Sequence, residues 1–434
     1  MFKPSRNSLL VGLIAIAFAA SGYKILNRPL DAVFITPDLK ASSDTQRQSS
    51  KVQTQFVSNV PGMAVHAASL VELRDGSLRA VWFSGSREGA GDVTIQTAVL
   101  SNGAQKWGLE SSLFDRPQLQ RGLWRYVKKI GNPVIARAPD GTLHLWMVNV
   151  SLGGWAGSAI TWSQSSDEGS TWSHPKRIVT SPFLNISTLI KGAPVGMTNG
   201  QISLPVYHEF ITKFAEVLRL DEQGRVIDKI RIPNSHTSLQ PVLLVENAQS
   251  AIAFMRAGQG GLVVTSRSDD SGKTWAAAGA TELPNPNSAL AGVVAINGDK
   301  WLALNLTATG RSSLTLVKAK TGDVFQNKPF FGVEPLTQPG PQSQGSPSPS
   351  TSQYEAMLSA ELKASDATDE QIAAFVLSAK RQLCGQTTCA LEFSYPSLLQ
   401  TRDGMMHLVY TWHRTRIKHV SFPASVLSDA RPNQ

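Results

Sequence analysis

The sequence is poor in cysteine and shows no pattern of metal ligands. Only two of its 434 residues are cysteine, and no two of the eight histidines have the His-x-x-x-His spacing of a zinc site. The sequence therefore predicts neither a metal nor a cofactor. Cys384 and Cys389 enclose four residues, and such a pair can close a tight loop in an oxidising compartment. We expect a short structural disulfide between them, which favours an exported protein.

The sequence also lacks the basic runs that are typical of nucleic-acid-binding proteins. Its net charge is +9, but four cations, from Lys3 to Arg28, precede the first acidic residue, Asp31. Taking these four away leaves +5 for the rest of the chain. That is little positive charge for a protein of this size. The sequence therefore predicts no nucleic-acid partner.

Only one apolar run approaches the length of a membrane span. It extends from Leu9 to about Ala20 and is either a secretory signal, with Ala17–Ala19 offering a cleavage site, or an uncleaved anchor. The basic residues that follow it favour the anchor. We predict a signal anchor or signal peptide over residues 1–27 and a polar tether over residues 28–55. The bulk of the chain is then anchored at the inner membrane facing the periplasm, or is secreted or periplasmic if the segment is cleaved.

Strand and turn patterns repeat along the rest of the chain. Six segments share a short apolar stretch, a turn that usually carries Asp-Gly or Asn-Gly, and a second alternating stretch, which together indicate a β-hairpin. They are Ala68–Gly85, Asn132–Asn149, Ala193–Glu209, Gln240–Ala257, Ala291–Ala308 and Pro396–Arg414. One such hairpin in each unit of roughly 50 residues is typical of a propeller blade. We predict an all-β fold, a six-bladed β-propeller over residues 56–425.

A longer interval precedes the last hairpin. Residues 334–353 are rich in Pro, Ser and Gly, and residues 354–383 carry apolar side chains at helical spacing. We predict an insertion over residues 334–383 that combines a disordered loop with one or two helices. A short tail is predicted over residues 426–434.

A Ser-x-Asp-x-Gly-x-Thr-Trp motif occurs twice, each time after the third strand of a unit. It begins at Ser165 and at Ser268. Its aspartate can accept hydrogen bonds from the local backbone, its glycine can take positive φ, and its tryptophan can pack between blades. The residues concerned are Asp167, Gly169, Trp172, Asp270, Gly272 and Trp275. We interpret them as a structural turn and not as a catalytic site.

These two motifs resemble the Asp boxes of the sialidase (neuraminidase) superfamily. With the hairpin repeat, they make residues 57–422 similar to its BNR-repeat branch. Together with the predicted anchor, the resemblance extends to sialidase-like bacterial Kdo hydrolases. Sialidases cleave the glycoside of an acidic 2-keto sugar. Three arginines hold the carboxylate, a tyrosine helped by a glutamate is the nucleophile, and an aspartate is the acid/base.

The resemblance assigns several residues of this sequence. Tyr395, in Tyr-Pro-Ser-Leu, resembles the nucleophile, and Asp92, with Arg87 upstream, resembles the acid/base. Arg256, which ends an apolar strand, resembles one arginine of the triad. Two more candidates for that triad are Arg414 and Arg416. Alternation along a strand would put these last two on the same face.

Two positions depart from the family pattern. His66 stands where the first arginine is expected, and Gln240 stands in place of the glutamate that helps the nucleophile. Three neighbouring residues, Tyr207, His208 and Glu209, end a strand of the third unit and bring acid/base groups together. We expect Glu209 to be the candidate that replaces the missing carboxylate.

Asn132 and Asn287 stand at the starts of blades, as does His66. Blade starts line the central funnel of a propeller, so these side chains either converge on a polar sugar site or shape the strand entries. We hypothesise a sialidase-like hydrolase that removes an acidic 2-keto sugar, of sialic acid or Kdo type, from a cell-envelope glycan. The expected partners are a glycan or polysaccharide substrate and the membrane, through the N-terminal segment. A partner subunit is left open.

Two other functions fit the same residues. A polysaccharide lyase acting on uronate polymers would use histidines, and His66, His208 and His413 are candidates once the glutamate is missing. A glycan-binding propeller without turnover would explain both departures. Ultraviolet absorbance of an unsaturated product would identify the lyase. Sugar binding that survives changes at Asp92 and Tyr395 would identify the binding protein.

Overall fold

The computed structural model describes residues 7, 10–16, 18–19, 32–36, 52–181, 185–321, 324–325, 331–334 and 348–424. Much of the predicted signal segment, most of the predicted tether, part of the insertion and the tail lie outside these residues. Residues 10–16 are helical and exposed. Within the described ranges, no helix has the length and apolar character needed to cross a membrane. The membrane anchor therefore stays a prediction.

The described residues form six antiparallel sheets, which are the blades of the predicted six-bladed propeller. Blade 1 contains β2 (Ala64–Glu72), β3 (Leu78–Gly85), β4 (Thr94–Leu100) and β5 (Ser111–Phe114). After α1 (Arg116–Leu123), blade 2 contains β6 (Lys129–Arg137), β7 (Leu143–Val150), β8 (Ser158–Ser165) and β9 (Lys176–Arg177). Blade 3 contains β10 (Leu189–Ile190), β11 (Val195–Gly196), β12 (Ile202–Glu209), β13 (Lys213–Leu220) and β14 (Val226–Arg231).

The second half of the ring follows the same plan. Blade 4 contains β15 (Ser238–Val245), β16 (Ala251–Ala257), β17 (Gly261–Ser268) and β18 (Gly279–Asn285). Blade 5 contains β19 (Ala291–Val294), β20 (Lys300–Leu304), β21 (Leu314–Thr321), β22 (Val324–Phe325) and β23 (Phe331–Glu334). Blade 6 contains β24 (Phe393–Gln400), β25 (Met405–Trp412), β26 (Arg416–Pro423) and, from the N-terminal side, β1 (Gln53–Phe56).

The inner strands are buried on both faces because each blade packs between two others. Every side chain of β3, β7 and β15 is buried. Such strands carry nearly continuous apolar stretches, whereas the outer strand β14 alternates between partly buried and exposed residues. Four tryptophans of the second strands are fully buried between blades, namely Trp82, Trp146, Trp301 and Trp412. The core is therefore a ring of interfaces between blades.

The N-terminal strand closes this ring. β1 pairs antiparallel with β26, from Gln53 opposite Ser421 to Phe56 opposite Lys418. The outermost strand of blade 6 thus comes from the start of the propeller and the other three come from its end. This pairing satisfies the backbone groups of an edge strand and joins the first blade to the last.

The helical part of the predicted insertion is present. α2 (Thr351–Ala364) and α3 (Asp369–Leu383) each begin with a Ser or Thr that forms a capping box with a glutamine. Their apolar side chains share a cluster with blades 5 and 6, to which the helices contribute Tyr354, Leu358, Leu362 and Phe375. A disulfide joins Cys384 to Cys389 directly after α3.

The two Asp-box motifs close the turns between third and fourth strands. Asp167 accepts hydrogen bonds from the N–H (2.9 Å) and hydroxyl (2.6 Å) of Thr171 and from the Ser165 hydroxyl (2.7 Å). These bonds, those from Thr171 first, lower the pKa of Asp167 to about 2. Asp270 makes the equivalent three bonds in blade 4. Positive φ is taken by Gly169 and Gly272, and the apolar clusters include Trp172 and Trp275.

The propeller has two ends with different contents. Because the strands of each blade are antiparallel, the turns between first and second strands share one end with the two Asp-box turns. We call this the Asp-box end. The starts of first strands and the ends of second strands lie at the opposite end, which we call the funnel end.

Part of the predicted tether packs on the Asp-box end. Phe34 is only 1% exposed and belongs to an apolar cluster with Met197 and Trp275. Its N–H donates to the carbonyl of Ala248, in the first turn of blade 4 (2.9 Å). Residues 32–36 therefore do not behave as the polar tether predicted for residues 28–55, because Ala32 and Phe34 are buried against blades 3 and 4.

Candidate active site

A backbone irregularity recurs at the funnel end. Positive φ angles occur at Ala67 (58°), Asn132 (41°), Gln240 (50°), Asn287 (58°) and Tyr395 (54°). Four of them lie in bulges of first strands, and the fifth stands shortly before β19. Positive φ costs a residue with a side chain roughly 1–3 kcal/mol, and a bulge re-aims that side chain. Because this strain recurs in five blades at one end, it marks a candidate functional site.

Arg256 connects three of these strained residues. It lies near the end of β16, where Nε donates to Asn287 Oδ1 (2.7 Å). One Nη donates to Gln240 Oε1 (2.9 Å) and to Tyr395 Oη (3.2 Å). The side chain is 9% exposed, and no carboxylate of the described residues lies within 4 Å of it. Arg256 is therefore a nearly buried cation without a counter-ion in this part of the chain.

The side-chain amide nitrogen of Gln240 contacts two tyrosines. Nε2 donates to Tyr395 Oη (3.2 Å) and to Tyr207 Oη (3.3 Å), while Oε1 accepts from Arg256. Asn132 Nδ2 donates to the same Tyr207 oxygen at 3.5 Å. Burial and the neighbouring Tyr395 raise the pKa of Tyr207 well above its usual value. The polar network thus runs from blade 2 to blade 6 across the funnel.

His66 stacks against the candidate nucleophile. Its ring centroid lies 4.1 Å from that of Tyr395, and its Nδ1 lies 2.8 Å from Thr411 Oγ1. Burial, and then the charge of Arg414, hold the pKa of His66 well below its usual value. The site therefore has an uncharged ring at the position where the resemblance expects an arginine.

A second group of charged side chains, around Glu392, forms ion pairs within the protein. Glu392 Oε1 pairs with Arg311 (3.1 Å) and its Oε2 pairs with Arg414 Nε (2.9 Å). Arg414 also pairs with Glu88 (3.2 Å). Burial alone would raise the pKa of Glu392, but the charges of Arg414 and Arg311 outweigh it and lower the pKa to about 2. These two arginines are already engaged by carboxylates.

Lys191 is a second buried cation near Tyr395. It follows β10 in blade 3, and its side chain is almost completely buried. Nζ donates to the Pro396 carbonyl in blade 6 (3.0 Å) and lies 5.9 Å from the centroid of the Tyr395 ring. Burial lowers the pKa of Lys191 to about 8. As with Arg256, no carboxylate among the described residues lies within 4 Å of it.

Glu209 ends β12 on the face of the strand that carries Tyr207, two positions earlier. It is partly buried. Burial raises the pKa of Glu209, although the charges of Lys213 and Arg256 offset part of the rise. A carboxyl group with a raised pKa beside the network has the character of a general acid.

Asp92 and Arg87 lie in the exposed loop between β3 and β4, at the funnel end. The Asp92 carboxylate accepts hydrogen bonds from the Ser86 N–H (2.9 Å) and hydroxyl (3.0 Å). Within the described residues, no hydrogen bond or ion pair joins Asp92 or Arg87 to Tyr395. Both belong to the rim of the funnel and not to the buried network.

The structure separates His208 from its two neighbours. Successive strand residues point to opposite faces, so His208 points away from the face of Tyr207 and Glu209. Its Nε2 lies 2.6 Å from Glu216, and its ring stacks on Phe214 at 4.5 Å. The assignment of His208 to the catalytic group therefore disagrees with the structure.

Arg414 and Arg416 do not share a strand face. Arg414 lies in the turn after β25 with a φ of 54°, so strand alternation does not apply to it. Arg416 donates from Nε to the Ser58 carbonyl (2.8 Å) and stacks on Phe56, 3.9 Å from the ring centroid. The Arg416 side chain therefore helps to hold the N-terminal strand against blade 6, away from the network.

A basic and aromatic run borders the funnel. It leads from the end of α1 into β6 and contains Arg121, Trp124, Arg125, Tyr126, Lys128 and Lys129. Trp124 is 96% exposed, and Lys129 Nζ lies 5.7 Å from the ring centroid of Trp155. The interpretation of the sequence overlooked this run. It ends three residues before Asn132, so its positive charge lies at the mouth of the network.

Sequence reasoning also missed Lys191, Arg311 and Glu392. A signal was available for Lys191, since it is a charged residue at the end of an apolar stretch, as Arg256 is. For metals, the described residues contain no group of three or more His, Cys, Asp or Glu side chains able to hold an ion.

Comparison with known proteins identifies relatives of this propeller. The sequence matches the BNR repeat-like domain over residues 76–408. No curated protein sequence matches the chain. Similar solved structures include sialidases and intramolecular trans-sialidases. The structure described as Hadza microbial sialidase Hz136 is 14% identical, with a TM-score of 0.59, over 84% of this chain and 66% of that one. The chain thus spans just under two thirds of that sialidase.

Two further structures are similar over most of this chain. The intramolecular trans-sialidase from Ruminococcus gnavus is 13% identical over 87% of this chain and 97% of that one, with a TM-score of 0.58. The NanB sialidase from Streptococcus pneumoniae is 10% identical over 93% of this chain and 72% of that one, with a TM-score of 0.56. At these identities the likeness establishes the fold alone.

Proposed function

Since the chain belongs to the BNR repeat-like domain family, whose match spans residues 76–408, we propose that it is a sialidase-like glycoside hydrolase. Its substrate is an acidic 2-keto sugar, of sialic acid or Kdo type, at the end of a cell-envelope glycan. The observation that carries this proposal is a phenol, Tyr395, that accepts a hydrogen bond from a nearly buried arginine without a counter-ion, Arg256.

A buried cation without a carboxylate partner favours an anionic ligand. Arg311 and Arg414 are both paired with Glu392, so they offer less positive charge to a ligand than Arg256 does. The hydrogen bonds of Arg256 to described residues leave one Nη unused. A guanidinium held in this way can bind a planar carboxylate next to Tyr395. This arrangement supports a substrate with its carboxylate close to the reacting carbon.

Tyr395 is the proposed nucleophile. Its Oη accepts hydrogen bonds from Arg256 and Gln240, which would stabilise the phenolate left when the phenol gives its proton to solvent water. As Oη then bonds to the anomeric carbon, the bond from that carbon to the leaving oxygen breaks, and the leaving oxygen takes a proton from the acid/base. A phenol also avoids the repulsion that a carboxylate nucleophile would meet near an acidic substrate.

Glu209 is the proposed acid/base. Its pKa is raised by burial, which favours the protonated form that a leaving oxygen requires. The Asp92 carboxylate is instead engaged by Ser86 at the rim. We therefore assign proton donation to Glu209 and a loop-ordering role to Asp92.

The acid/base assignment predicts a difference between two matched variants. Glu209→Gln should lower kcat by roughly 10²–10⁴-fold on a glycoside with a poor leaving group, and by much less on an aryl glycoside, whose leaving group needs no proton. Asp92→Asn should lower kcat by less than about tenfold on both. Steady-state kinetics on the two glycosides checks this. A larger loss of kcat in Asp92→Asn than in Glu209→Gln would assign proton donation to Asp92.

A glycan-binding propeller without turnover is the second candidate, and Gln240 favours it. The Gln240 carbonyl is occupied by Arg256, and its amide nitrogen donates to Tyr395, so Gln240 cannot accept the phenol proton. Binding without release of sugar by the unmodified protein would favour this candidate.

The lyase alternative receives no support from the histidines. His66 is at the network, but His208 pairs with Glu216 on the other strand face. His413 is buried beside Tyr354, and burial lowers its pKa to about 3. The three histidines therefore occupy separate environments.

The experiment that tests the proposed function is a substrate panel. The full chain is incubated with a sialoside, a Kdo glycoside, lipopolysaccharide and a neutral hexoside, and the free sugar is measured by chromatography. We expect release of an acidic 2-keto sugar and none of the neutral hexose. Release of no acidic sugar from any of the three acidic substrates would contradict the proposal.

We also propose that the protein is exported and tethered to the membrane by its N-terminal segment. Phe34 is buried on the Asp-box end, which supports a chain path that reaches the propeller there and leaves the funnel directed away from the bilayer.

Two cysteine variants test this orientation. Both native cysteines form the disulfide, so an added cysteine can be labelled selectively. Leu109→Cys lies at the Asp-box end and Leu152→Cys at the funnel end, where the native side chains are 92% and 75% exposed. In membranes that contain quencher lipids, we expect stronger quenching of a fluorophore on the Leu109→Cys variant. Stronger quenching on Leu152→Cys, or a chain that does not sediment with membranes, would overturn the orientation.

A further inference from the structure

We infer that Lys191 is the second cation that binds the acidic group of the substrate, and that it takes over from the arginine missing at His66. This inference rests on the proposed function and extends it, since it names a specificity residue that the sequence pattern does not indicate. Lys191 comes from blade 3 and reaches the opposite blade, where Nζ binds the Pro396 carbonyl.

Lys191 and Arg256 place their charges at similar distances from the Tyr395 ring. Lys191 Nζ lies 5.9 Å from the centroid of the Tyr395 ring, and Arg256 Cζ lies 6.0 Å from the same centroid. His66 stacks on this ring, and the charge of Lys191 contributes to the lowered pKa of His66. Positive charge is therefore present near Tyr395 and His66 although position 66 carries no arginine, and it is supplied from another blade.

The buried charge of Lys191 is not compensated within the described chain. Another buried lysine, Lys418, shows the usual solution, because it pairs with both Glu334 and Glu361. Although burial lowers it, these carboxylates raise the pKa of Lys418 above its usual value. To the described residues, Lys191 makes a single hydrogen bond, to a backbone carbonyl, and burial lowers its pKa. Burying an unpaired ammonium is costly, so a ligand carboxylate is the partner that this geometry lacks.

The protonation of Lys191 gives the site a pH dependence. Among the described residues, the ionisable side chains of His66 from β2 and Tyr395 from β24 lie near it. Because the pKa of Lys191 is lowered to about 8, the ammonium is present below that pH and is lost as the pH rises through it. Affinity for an acidic sugar should therefore weaken above about pH 8.

The test compares Lys191→Met with Lys418→Met and with the unmodified protein. Without ligand, Lys191→Met should keep or raise the Tm because it removes an unpaired buried charge, whereas Lys418→Met should lower the Tm because it leaves two carboxylates unpaired. A saturating acidic 2-keto sugar should raise the Tm of the unmodified protein. The same sugar should raise the Tm of Lys191→Met much less. Calorimetry should show binding weakened about 10- to 100-fold in Lys191→Met. The fall in affinity above pH 8 should also be absent from that variant.

The outcomes separate this inference from the proposed function. If the unmodified protein releases the acidic sugar and Lys191→Met binds it with equal affinity and the same pH profile, the role of Lys191 is wrong and the hydrolase stands. If Lys191→Met loses affinity while the unmodified protein binds without releasing sugar, Lys191 is supported and the hydrolase is wrong. If the unmodified protein binds no acidic sugar, both are wrong. Lys191→Arg, which keeps the charge, should recover part of the affinity below pH 8 and extend it above that pH.

Discussion

Tyr395→Phe is expected to lower kcat by at least about 10³-fold while KM changes little, because the variant lacks the proposed nucleophilic oxygen. The phenylalanine ring keeps the contact with His66, whose centroid lies 4.1 Å from the ring of Tyr395. In the variant, the N–H groups of Arg256 and Gln240 lose Tyr395 Oη as an acceptor. This lowers the stability of the fold by about 1–3 kcal/mol unless a water molecule takes the place of the hydroxyl. Steady-state kinetics on an aryl glycoside and a thermal melt measure these effects.

Tyr207→Phe is the matched control for that variant. Tyr207 is the other phenol bound by Gln240, and its raised pKa keeps it protonated. We expect Tyr207→Phe to retain most of the activity. Activity of Tyr395→Phe within tenfold of the unmodified protein would remove Tyr395 from the chemistry.

Arg256→Met is expected to lower kcat/KM by roughly 10³-fold, about 4 kcal/mol of transition-state stabilisation. The variant loses the cation proposed to bind the carboxylate. It also loses the hydrogen bonds that hold Gln240, Asn287 and Tyr395 in one arrangement. Arg256→Lys keeps the charge but not the fork of donors, so it should recover only part of the loss. Kinetics on carboxylate-bearing glycosides checks both variants.

Arg416→Lys provides the control for a buried arginine outside the network. Arg416 binds the Ser58 carbonyl and stacks on Phe56, so its replacement should lower the Tm without changing KM. An Arg256→Met protein with unchanged KM and kcat would contradict the anion site.

The repeat made much of this architecture predictable from sequence. Hairpins recur at regular intervals, and this regularity placed Asn132, Gln240, Asn287 and Tyr395 at blade starts before any contact was known. Blade starts meet at the axis of a propeller, so the grouping of these side chains follows from topology alone. Their positive φ angles did not follow, because a bulge depends on how a strand bends against its neighbour.

Sequence predicts less well those residues whose side-chain direction depends on a single position in a strand. His208 adjoins two network residues in sequence but points to the opposite face. Arg414 was assigned to a strand and lies in a turn, where Glu392 binds it. Lys191 reaches the network from the opposite side of the ring, and its contact with Pro396 joins residues 205 positions apart. Local pattern carries no information about such distant pairings.

The most direct test of the central claim is the rate of sugar release from two glycosides that differ only at the acidic group, one a free carboxylate and the other its methyl ester. The claim is that Arg256 holds a carboxylate beside Tyr395. We predict release of free 2-keto sugar from the carboxylate by the unmodified protein. We predict at least about 100-fold slower release from the ester, and no measurable release from either by Tyr395→Phe. Equal rates on the two glycosides, or no release from the carboxylate by the unmodified protein, would contradict the account.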